Sequence, residues 1–130
     1  MYSEITRSIR VSVEPFFVHE QSEPHRNRYV FGYKVRIRND SDGIVQLISR
    51  HWHITDGSGR RYEVRGEGVV GEQPFLEPGE SFEYTSGAPL RTPSGFMSGS
   101  YVMQGKDGLY FDVRIPAFSL DAPGVGVTLN

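Results

Sequence analysis

The sequence predicts an all-β domain that folds as a two-sheet antiparallel β-sandwich. Fifteen glycines and eight prolines interrupt 130 residues that are otherwise rich in aromatic and β-branched side chains, a composition typical of short strands joined by turns. Successive segments alternate apolar and polar residues, and no segment has a sustained helical period. About seven strands in a chain of this length favour a sandwich with Greek-key connections, and a closed barrel is the alternative.

The strands are predicted from this alternation. The clearest is the segment 28–39, in which every second residue from Tyr29 to Ile37 is apolar and the other face carries Arg28, Lys34, Arg36 and Arg38. In the segment 44–56, Arg50 falls in phase with Ile44, Ile48, Trp52 and Ile54, which indicates a bulge or an outward swing near the middle. Trp52 is expected in the core. The other predicted strands span residues 9–13, 61–64, 81–85, 99–104 and 109–115, with a mobile loop at 17–27 and an irregular connection at 89–95.

Composition and charge narrow the class of protein. The chain has no cysteine and a formal net charge of −2, which excludes disulfides and thiolate metal sites and argues against a general polyanion binder. No stretch resembles a signal peptide or reaches the ~18 apolar residues of a membrane span. We therefore expect a cytoplasmic protein without membrane insertion. We expect one domain over residues 1–130, with a core from about 9 to 120 and a loosely held tail at 121–130.

One segment in the middle of the chain lacks the alternation and contains Gly66, Gly68 and Gly71. Their spacing matches G-x-G-x-x-G, with which Rossmann domains bind a dinucleotide pyrophosphate. That function requires a helix that begins at the third glycine, but Pro74 and Pro78 fall where the helix would lie, and an interior proline costs ~3 kcal/mol. We therefore expect an interstrand loop, and we expect NAD, ATP and GTP to bind no tighter than about millimolar.

The same segment is the candidate binding surface. Its glycines indicate backbone with positive φ or a close approach to another group. Such a loop has three possible roles. It shapes the connection between two strands and does nothing else, it binds a phosphate or carboxylate through its backbone amides, or it contacts a partner protein. Glu67, Val69 and Glu72 are expected to be exposed, and an exposed valine favours recognition slightly. The candidate binding residues are Arg65, Gly66, Glu67, Gly68, Val69, Gly71 and Glu72.

Two histidines are the candidate metal ligands. His51 and His53 flank Trp52 in a predicted strand, so both side chains point to the same face. Such a pair supplies two ligands, but a metal site needs at least a third, for which His19, His25 and Asp56 are candidates. The alternative is a pair of surface histidines opposite a buried tryptophan. We predict no tightly bound metal and no cofactor.

The sequence contains no catalytic constellation. No G-x-S-x-G elbow is present, and no nucleophile stands beside a base in a recognisable pattern, so we expect a protein that is not an enzyme. A basic stripe is conceivable, formed by Arg36, Arg38, Arg50, Arg60, Arg61 and Arg65 with Tyr33 and Tyr62 nearby. Interspersed acidic residues and the lack of a nucleic-acid motif argue against nucleic acid as the partner.

Five motifs can be read directly from the chain: R-H-W-H-I-T-D at 50–56, V-R-G-E-G-V-V-G-E-Q-P at 64–74, L-E-P-G-E at 76–80, F-E-Y-T-S-G at 82–87 and I-P-A-F-S-L at 115–120. Together these motifs resemble the bacterial ApaG family, also called CorD. The resemblance extends from about residue 11 to 120. It implies a fibronectin-type-III-like or immunoglobulin-like sandwich. Related domains occur in F-box proteins and in a DNA-polymerase-interacting protein, and bacterial members are linked to cobalt resistance and magnesium efflux.

Three functions follow as hypotheses. The first is a non-enzymatic module that binds an unidentified protein partner. The second is a role in the handling of divalent cations such as cobalt or magnesium, with a weakly bound cation. The third is a binder of a small anion, phosphate or nucleotide-related ligand, or an enzyme that acts on one, at the glycine-rich segment. The sequence leaves open whether the domain forms a homo-oligomer. Fold alone does not decide among the three functions.

Overall fold

The computed structural model describes residues 1–124, and the part of the predicted tail at 125–130 lies outside the described residues. Within the described range the chain forms nine strands, two short 3₁₀ helices and no α-helix. The strands are Tyr2–Thr6 (β1), Ile9–Phe17 (β2), Tyr29–Asn39 (β3), Val45–Asp56 (β4), Arg61–Glu67 (β5), Phe75–Leu76 (β6), Ser81–Leu90 (β7), Ser94–Gly105 (β8) and Tyr110–Asp121 (β9). The 3₁₀ helices are His19–Gln21 and Pro24–Arg26. No helix of the described chain is long and apolar enough to cross a membrane.

The strands form two antiparallel sheets that pack face to face, so the predicted all-β sandwich is confirmed. One sheet has the order β1-β2-β3-β7, and the other has the order β5-β4-β8-β9, with β6 pairing with one end of β4. This arrangement is consistent with a fibronectin-type-III or immunoglobulin-like fold. Trp52 lies in the core, as predicted, and it packs against Tyr33 and Phe118 with ring centroids 5.1 and 5.9 Å away.

The predicted bulge in β4 is present, two residues before Arg50. The pairing of β4 with β8 shifts register between Leu47 and Ser49, so the inward-facing residues change phase at this point. The residues buried before the shift are therefore Val45 and Leu47, not the predicted Ile44 and Ile48, and those buried after it are Trp52 and Ile54. Arg50 shares the inward phase of Trp52 and lies half-buried between the sheets.

Other boundaries differ from the predictions. The segment 17–27, predicted as an unpatterned mobile loop, contains two 3₁₀ helices, and Ser22 Oγ donates to the Val18 carbonyl and accepts from the Val30 amide. The connection predicted at 89–95 is shorter, since β7 continues to Leu90 and β8 begins at Ser94. Edge positions tolerate Pro89 within a strand, which the prediction did not allow for.

The two sides of the sandwich are closed to different degrees. On one side β9 meets β1, where the amide of Arg114 donates to Thr6 Oγ1 and the Arg114 guanidinium pairs with Glu4 at 3.1 Å. On the other side the terminal strands are β5 and β7. There, Tyr62 and Val64 of β5 stand in register with the inward-facing Ile54 and Trp52, yet they remain 38% and 40% exposed. This side of the sandwich is therefore open.

Candidate functional site

The glycine-rich segment forms a tight turn at the end of β5. The amide of Val69 donates to the Glu72 carbonyl at 2.8 Å, and the amide of Glu72 donates back to Val69 at 2.9 Å. Val70 and Gly71, the two central residues, have φ of 44° and 81°, as in a type I′ turn. The short strand β6 follows, not a helix. The expectation of an interstrand loop without a Rossmann helix is confirmed.

The three glycines serve the backbone in two different ways. Gly68 and Gly71 have positive φ of 64° and 81°, a region that residues with a Cβ rarely adopt. Gly66 leaves room for Arg50, because a Cβ there would lie 2.7 Å from the guanidinium. Arg50 Nη1 donates to the carbonyls of Glu67 and Gly68 at 3.0 and 2.9 Å. The guanidinium of Arg50 therefore fixes the start of the turn from inside the sandwich.

The exposed valine of the turn is Val70, so the prediction for Val69 is wrong. Val69 is 1% exposed and belongs to the core, whereas Val70 is 56% exposed at the tip. The positive φ at Val70 turns the backbone so that its side chain faces solvent. A β-branched residue with positive φ is a conformational outlier, and such strain concentrates at functional sites. Among the other candidate residues, Arg65, Glu67, Gly71 and Glu72 are exposed, Gly66 is half-buried and Gly68 is buried.

A groove of about 630 Å³ runs along the open side between β5 and β7. Its apolar lining includes Ile54, Tyr62, Val64, Ala88 and Leu90. Its rim carries a net positive charge, because it is lined by three arginines, Arg26, Arg28 and Arg91, and one glutamate, Glu23. Both β5 and β7 are edge strands, whose unpaired backbone groups can pair with another chain. No pattern in the sequence marks this groove, because its lining comes from four separate segments.

A smaller cavity of about 200 Å³ leads from the groove towards the interior and shares its lining at Val64 and Ala88. Arg50, Tyr33, Trp52 and Ser86 line its inner end. Among residues 1–124, no carboxylate lies within ion-pair distance of Arg50. The two backbone carbonyls that accept from Arg50 Nη1 do not neutralise its charge. A half-buried guanidinium that faces a cavity therefore attracts an anionic group.

Tyr33, Tyr84 and Tyr101 are buried in the core, and one of them, Tyr33, lines this cavity. Tyr84 and Tyr101 hydrogen-bond through their hydroxyl groups in the core. Burial raises the pKa of both phenols well above the ordinary value, although the hydrogen bond from Tyr101 partly offsets this for the pKa of Tyr84. Burial also raises the pKa of Tyr33, against smaller opposing effects of Ser86 and Arg50. The three phenols are therefore neutral at physiological pH.

These shifts predict a loss of stability at alkaline pH. In the unfolded chain the phenols ionise near pH ~10, but in the folded protein they stay neutral to higher pH, so unfolding releases protons above pH ~10. The free energy of unfolding should therefore fall as pH rises from about 10 to about 11.5. Urea unfolding across this range should show a shallower fall in a Tyr84→Phe/Tyr101→Phe double variant. Parallel losses in the two proteins would contradict the prediction.

The two histidines that the sequence offers as candidate metal ligands are adjacent on the outer face of β4. Their ring centroids are 4.3 Å apart. The third group is Glu63 on β5, which pairs directly with His53 in the register. Glu63 Oε1 lies 2.7 Å from His51 Nε2, 4.0 Å from His53 Nδ1 and 3.5 Å from Arg65 Nη2. The hydrogen bond with His51 is the largest cause of the lowered pKa of Glu63, so its carboxylate is ionised at neutral pH.

The third ligands suggested by the sequence lie elsewhere. His19 and His25 are exposed in the two 3₁₀ helices. Asp56 is buried at the end of β4, where its Oδ1 accepts hydrogen bonds from Ser58 and the Arg60 amide. The hydroxyl of Ser58 is the main cause of its lowered pKa. Asp56 therefore shapes the β4–β5 turn. Glu63 was missed because only the register of two strands brings it beside the histidines.

The basic stripe suggested by the sequence does not form. Arg36 and Arg38 lie on the outer face of the first sheet, where they pair with Glu83 and Asp40. Arg50 lies half-buried between the sheets, and Tyr33 is buried beside Trp52. Arg60, Arg61 and Arg65 belong to the hairpin of β4 and β5 in the second sheet. The arginines are thus separated by the sandwich, which sequence spacing alone did not indicate.

Fold and site together define a β-sandwich domain of the fibronectin or immunoglobulin type with one open side. The profile of the ApaG domain matches residues 19–105. The chain is 59% identical to Protein ApaG of Mesorhizobium japonicum and to that of Brucella canis, over the full length of each chain. The chain belongs to the ApaG family.

Two solved structures have the same fold. The crystal structure of the putative ApaA protein of Bordetella pertussis has a TM-score of 0.87 at 55% identity, covering 89% of this chain and 94% of that one. A second X-ray structure, of a structural-genomics target, has a TM-score of 0.85 at 42% identity and covers 91% and 89% of the two chains. None of these four proteins is named as an enzyme.

Proposed function

We propose that this ApaG domain is a protein-interaction module whose groove between β5 and β7 binds an extended segment of a partner protein. The observation that carries the proposal is the exposure of Tyr62 and Val64, which face inward in register but are not covered by the opposite sheet. Uncovered apolar side chains beside a free strand edge are the features that β-strand addition uses for recognition. The edge supplies backbone hydrogen bonds, and the groove supplies a pocket for alternate side chains.

Charge complementarity indicates the chemistry of the partner segment. The arginines of the rim outnumber its one glutamate, and Arg50 faces the inner cavity without a carboxylate partner in the described chain. We infer a segment that carries apolar side chains for the groove and a carboxylate that approaches Arg50. Arginine at the centre of a desolvated pocket is a common interaction hot spot.

The turn at 68–72 forms the second part of the proposed surface. It continues directly from β5, presents Val70 to solvent and is flanked by exposed Arg65, Glu67 and Glu72. The buried Val69 and Gly68 and the guanidinium of Arg50 hold its shape. A rigid turn costs little ordering entropy on association, which favours a role in recognition.

The alternatives receive different support. Binding of a phosphate on the turn is disfavoured, because the amides of Gly68, Val69 and Glu72 already donate to backbone carbonyls. A role in handling divalent cations is favoured by one observation, the cluster of His51, His53 and Glu63. That cluster points to the outer face of the sheet, so it neither requires nor excludes a partner in the groove.

Selection from a random peptide display library on the immobilised protein tests the proposal. We expect enriched peptides that combine apolar and acidic residues. Val64→Glu should weaken the affinity for such a peptide about tenfold or more, because it places a charge in the groove. Leu109→Glu is the matched control: Leu109 is 67% exposed in the distant β8–β9 hairpin, and its change should leave affinity unaltered.

Two outcomes would overturn the proposal. One is the absence of enrichment, or peptide binding that Val64→Glu does not weaken. The other is a dimer in sedimentation experiments that Val64→Glu dissociates, which would mean that a second copy of the chain occupies the groove. Preserved melting temperatures in both variants are required for the comparison, and exposure of both residues makes this the expected result.

A further inference from the structure

We propose that His51, His53 and Glu63 form a binding site for a divalent transition-metal ion on the outer face of the second sheet. Their ligand atoms lie within 4.8 Å of one another. Two imidazoles and a carboxylate are a common protein ligand set for zinc, which leaves its fourth position for water or an external ligand. The site is separate from the groove, because Glu63 points outward from β5 while its neighbours Tyr62 and Val64 point inward.

The backbone holds the three ligands in place. His51 and His53 alternate on β4, which is hydrogen-bonded on both sides, to β5 and to β8. Glu63 stands directly opposite His53 on β5. A binding geometry built on paired strands needs only side-chain adjustment, whereas a site on loops would also require ordering of the backbone.

The observed distances are close to those a zinc ion requires. Bonds of about 2.0 Å in a tetrahedron place the ligand atoms roughly 3.3 Å apart. The carboxylate oxygen of Glu63 lies 2.7 Å from His51 Nε2 and 4.0 Å from His53 Nδ1, so these distances lie on either side of the required value. Small rotations of these three side chains, of which His53 and Glu63 are exposed and His51 is half-buried, are enough to bring the three atoms to a common distance from one ion.

The chemistry of the ligands selects the class of ion. Imidazole nitrogen suits Zn²⁺, Ni²⁺ and Cu²⁺, while Mg²⁺ and Ca²⁺ prefer sites made of oxygen ligands. The site has one carboxylate, and Arg65 lies 3.5 Å from it, which lowers the affinity for a cation by repulsion and by competition for the same oxygen. We therefore infer a moderate affinity, suited to reversible binding.

Calorimetric titration of the whole protein with ZnCl₂ at neutral pH tests the site. We expect one-to-one saturable binding with a Kd on the order of 10 µM. His51→Ala, His53→Ala and Glu63→Gln should each weaken binding about tenfold or more, because three protein ligands are the minimum of a stable zinc site. His25→Ala is the control, since it removes an exposed histidine from a 3₁₀ helix far from the cluster in sequence and should leave the Kd unchanged.

Arg65→Ala separates a metal site from a surface ion pair. If Glu63 is a ligand, removal of the neighbouring guanidinium should tighten zinc binding about threefold, in the range of exposed ion-pair effects. Unsaturable binding, binding that survives both histidine changes, or an Arg65→Ala variant with unchanged affinity would overturn the proposal. If a histidine variant loses its fold, Glu63→Gln replaces it as the test of the site, because glutamine preserves the size of the side chain.

Discussion

Trp52→Ala should lower the free energy of unfolding by about 3–5 kcal/mol, the range for truncation of a large aromatic residue in a core. Trp52 is 3% exposed, and its ring packs against those of Tyr33 and Phe118, the second in an edge-on arrangement, while these two rings also contact each other. Removal of the indole leaves a void beside the inner end of the smaller cavity, which the paired strands of the sheet cannot collapse to fill.

Urea unfolding followed by circular dichroism measures this effect without relying on tryptophan fluorescence. Trp52→Phe should cost less than half as much, because it keeps an aromatic ring in the same place. Tyr110→Ala is the control for the loss of an exposed ring, since Tyr110 lies at the start of β9 with most of its surface in solvent. A loss below about 1 kcal/mol for Trp52→Ala would contradict the central position of Trp52 in the core.

Gly68→Ala should be the most damaging alanine substitution in the turn, with a loss of about 3 kcal/mol or more. Its positive φ of 64° disfavours any residue with a Cβ, and that Cβ would lie 2.3 Å from the carbonyl oxygen of Glu72. The clash is with backbone, so relief requires breaking the paired hydrogen bonds of Val69 and Glu72.

Gly71→Ala isolates the conformational part of this effect. Gly71 has φ of 81°, and no heavy atom lies within 4 Å of the added Cβ, so the cost should be only the left-handed strain of about 1–2 kcal/mol. Val70→Asn should act in the opposite direction and stabilise by about 1 kcal/mol, because Asn-Gly is a favoured type I′ pair. Equal losses for Gly68→Ala and Gly71→Ala in urea unfolding would contradict the turn described here.

The sequence predicts the fold where one face of a strand is continuously buried. In β3 the alternation from Tyr29 to Ile37 follows the period of a strand with one side on the core, and all five inward residues are buried as expected. The absence of a helix after Gly71 was also predictable, because Pro74 and Pro78 exclude one. The short strands β1 and β6 were missed, since Phe75–Leu76 is too short for a periodic pattern.

The site was less predictable, since register and turn geometry decide it. Alternation in β4 indicated that His51 and His53 share a face, but only the pairing of β4 with β5 brings Glu63 to them. The sequence also does not distinguish Val69 from Val70, because the positive φ at Val70 reverses the usual alternation. Arg50 fell in the inward phase of its strand, but its role in holding the turn depends on Gly66 in the neighbouring strand.

If the open side between β5 and β7 binds an extended protein segment, as we propose, hydrogen–deuterium exchange should detect the added strand. A peptide that combines acidic and apolar residues, selected on the protein, should slow the exchange of amides in Arg61–Glu67 and Ser81–Leu90. The reason is that an added strand forms hydrogen bonds with the unpaired backbone groups of the edge strands. The amides of the β8–β9 turn at 106–109 should exchange as before. Unchanged exchange in both edge strands at saturating peptide, or protection confined to other parts of the chain, would contradict the account.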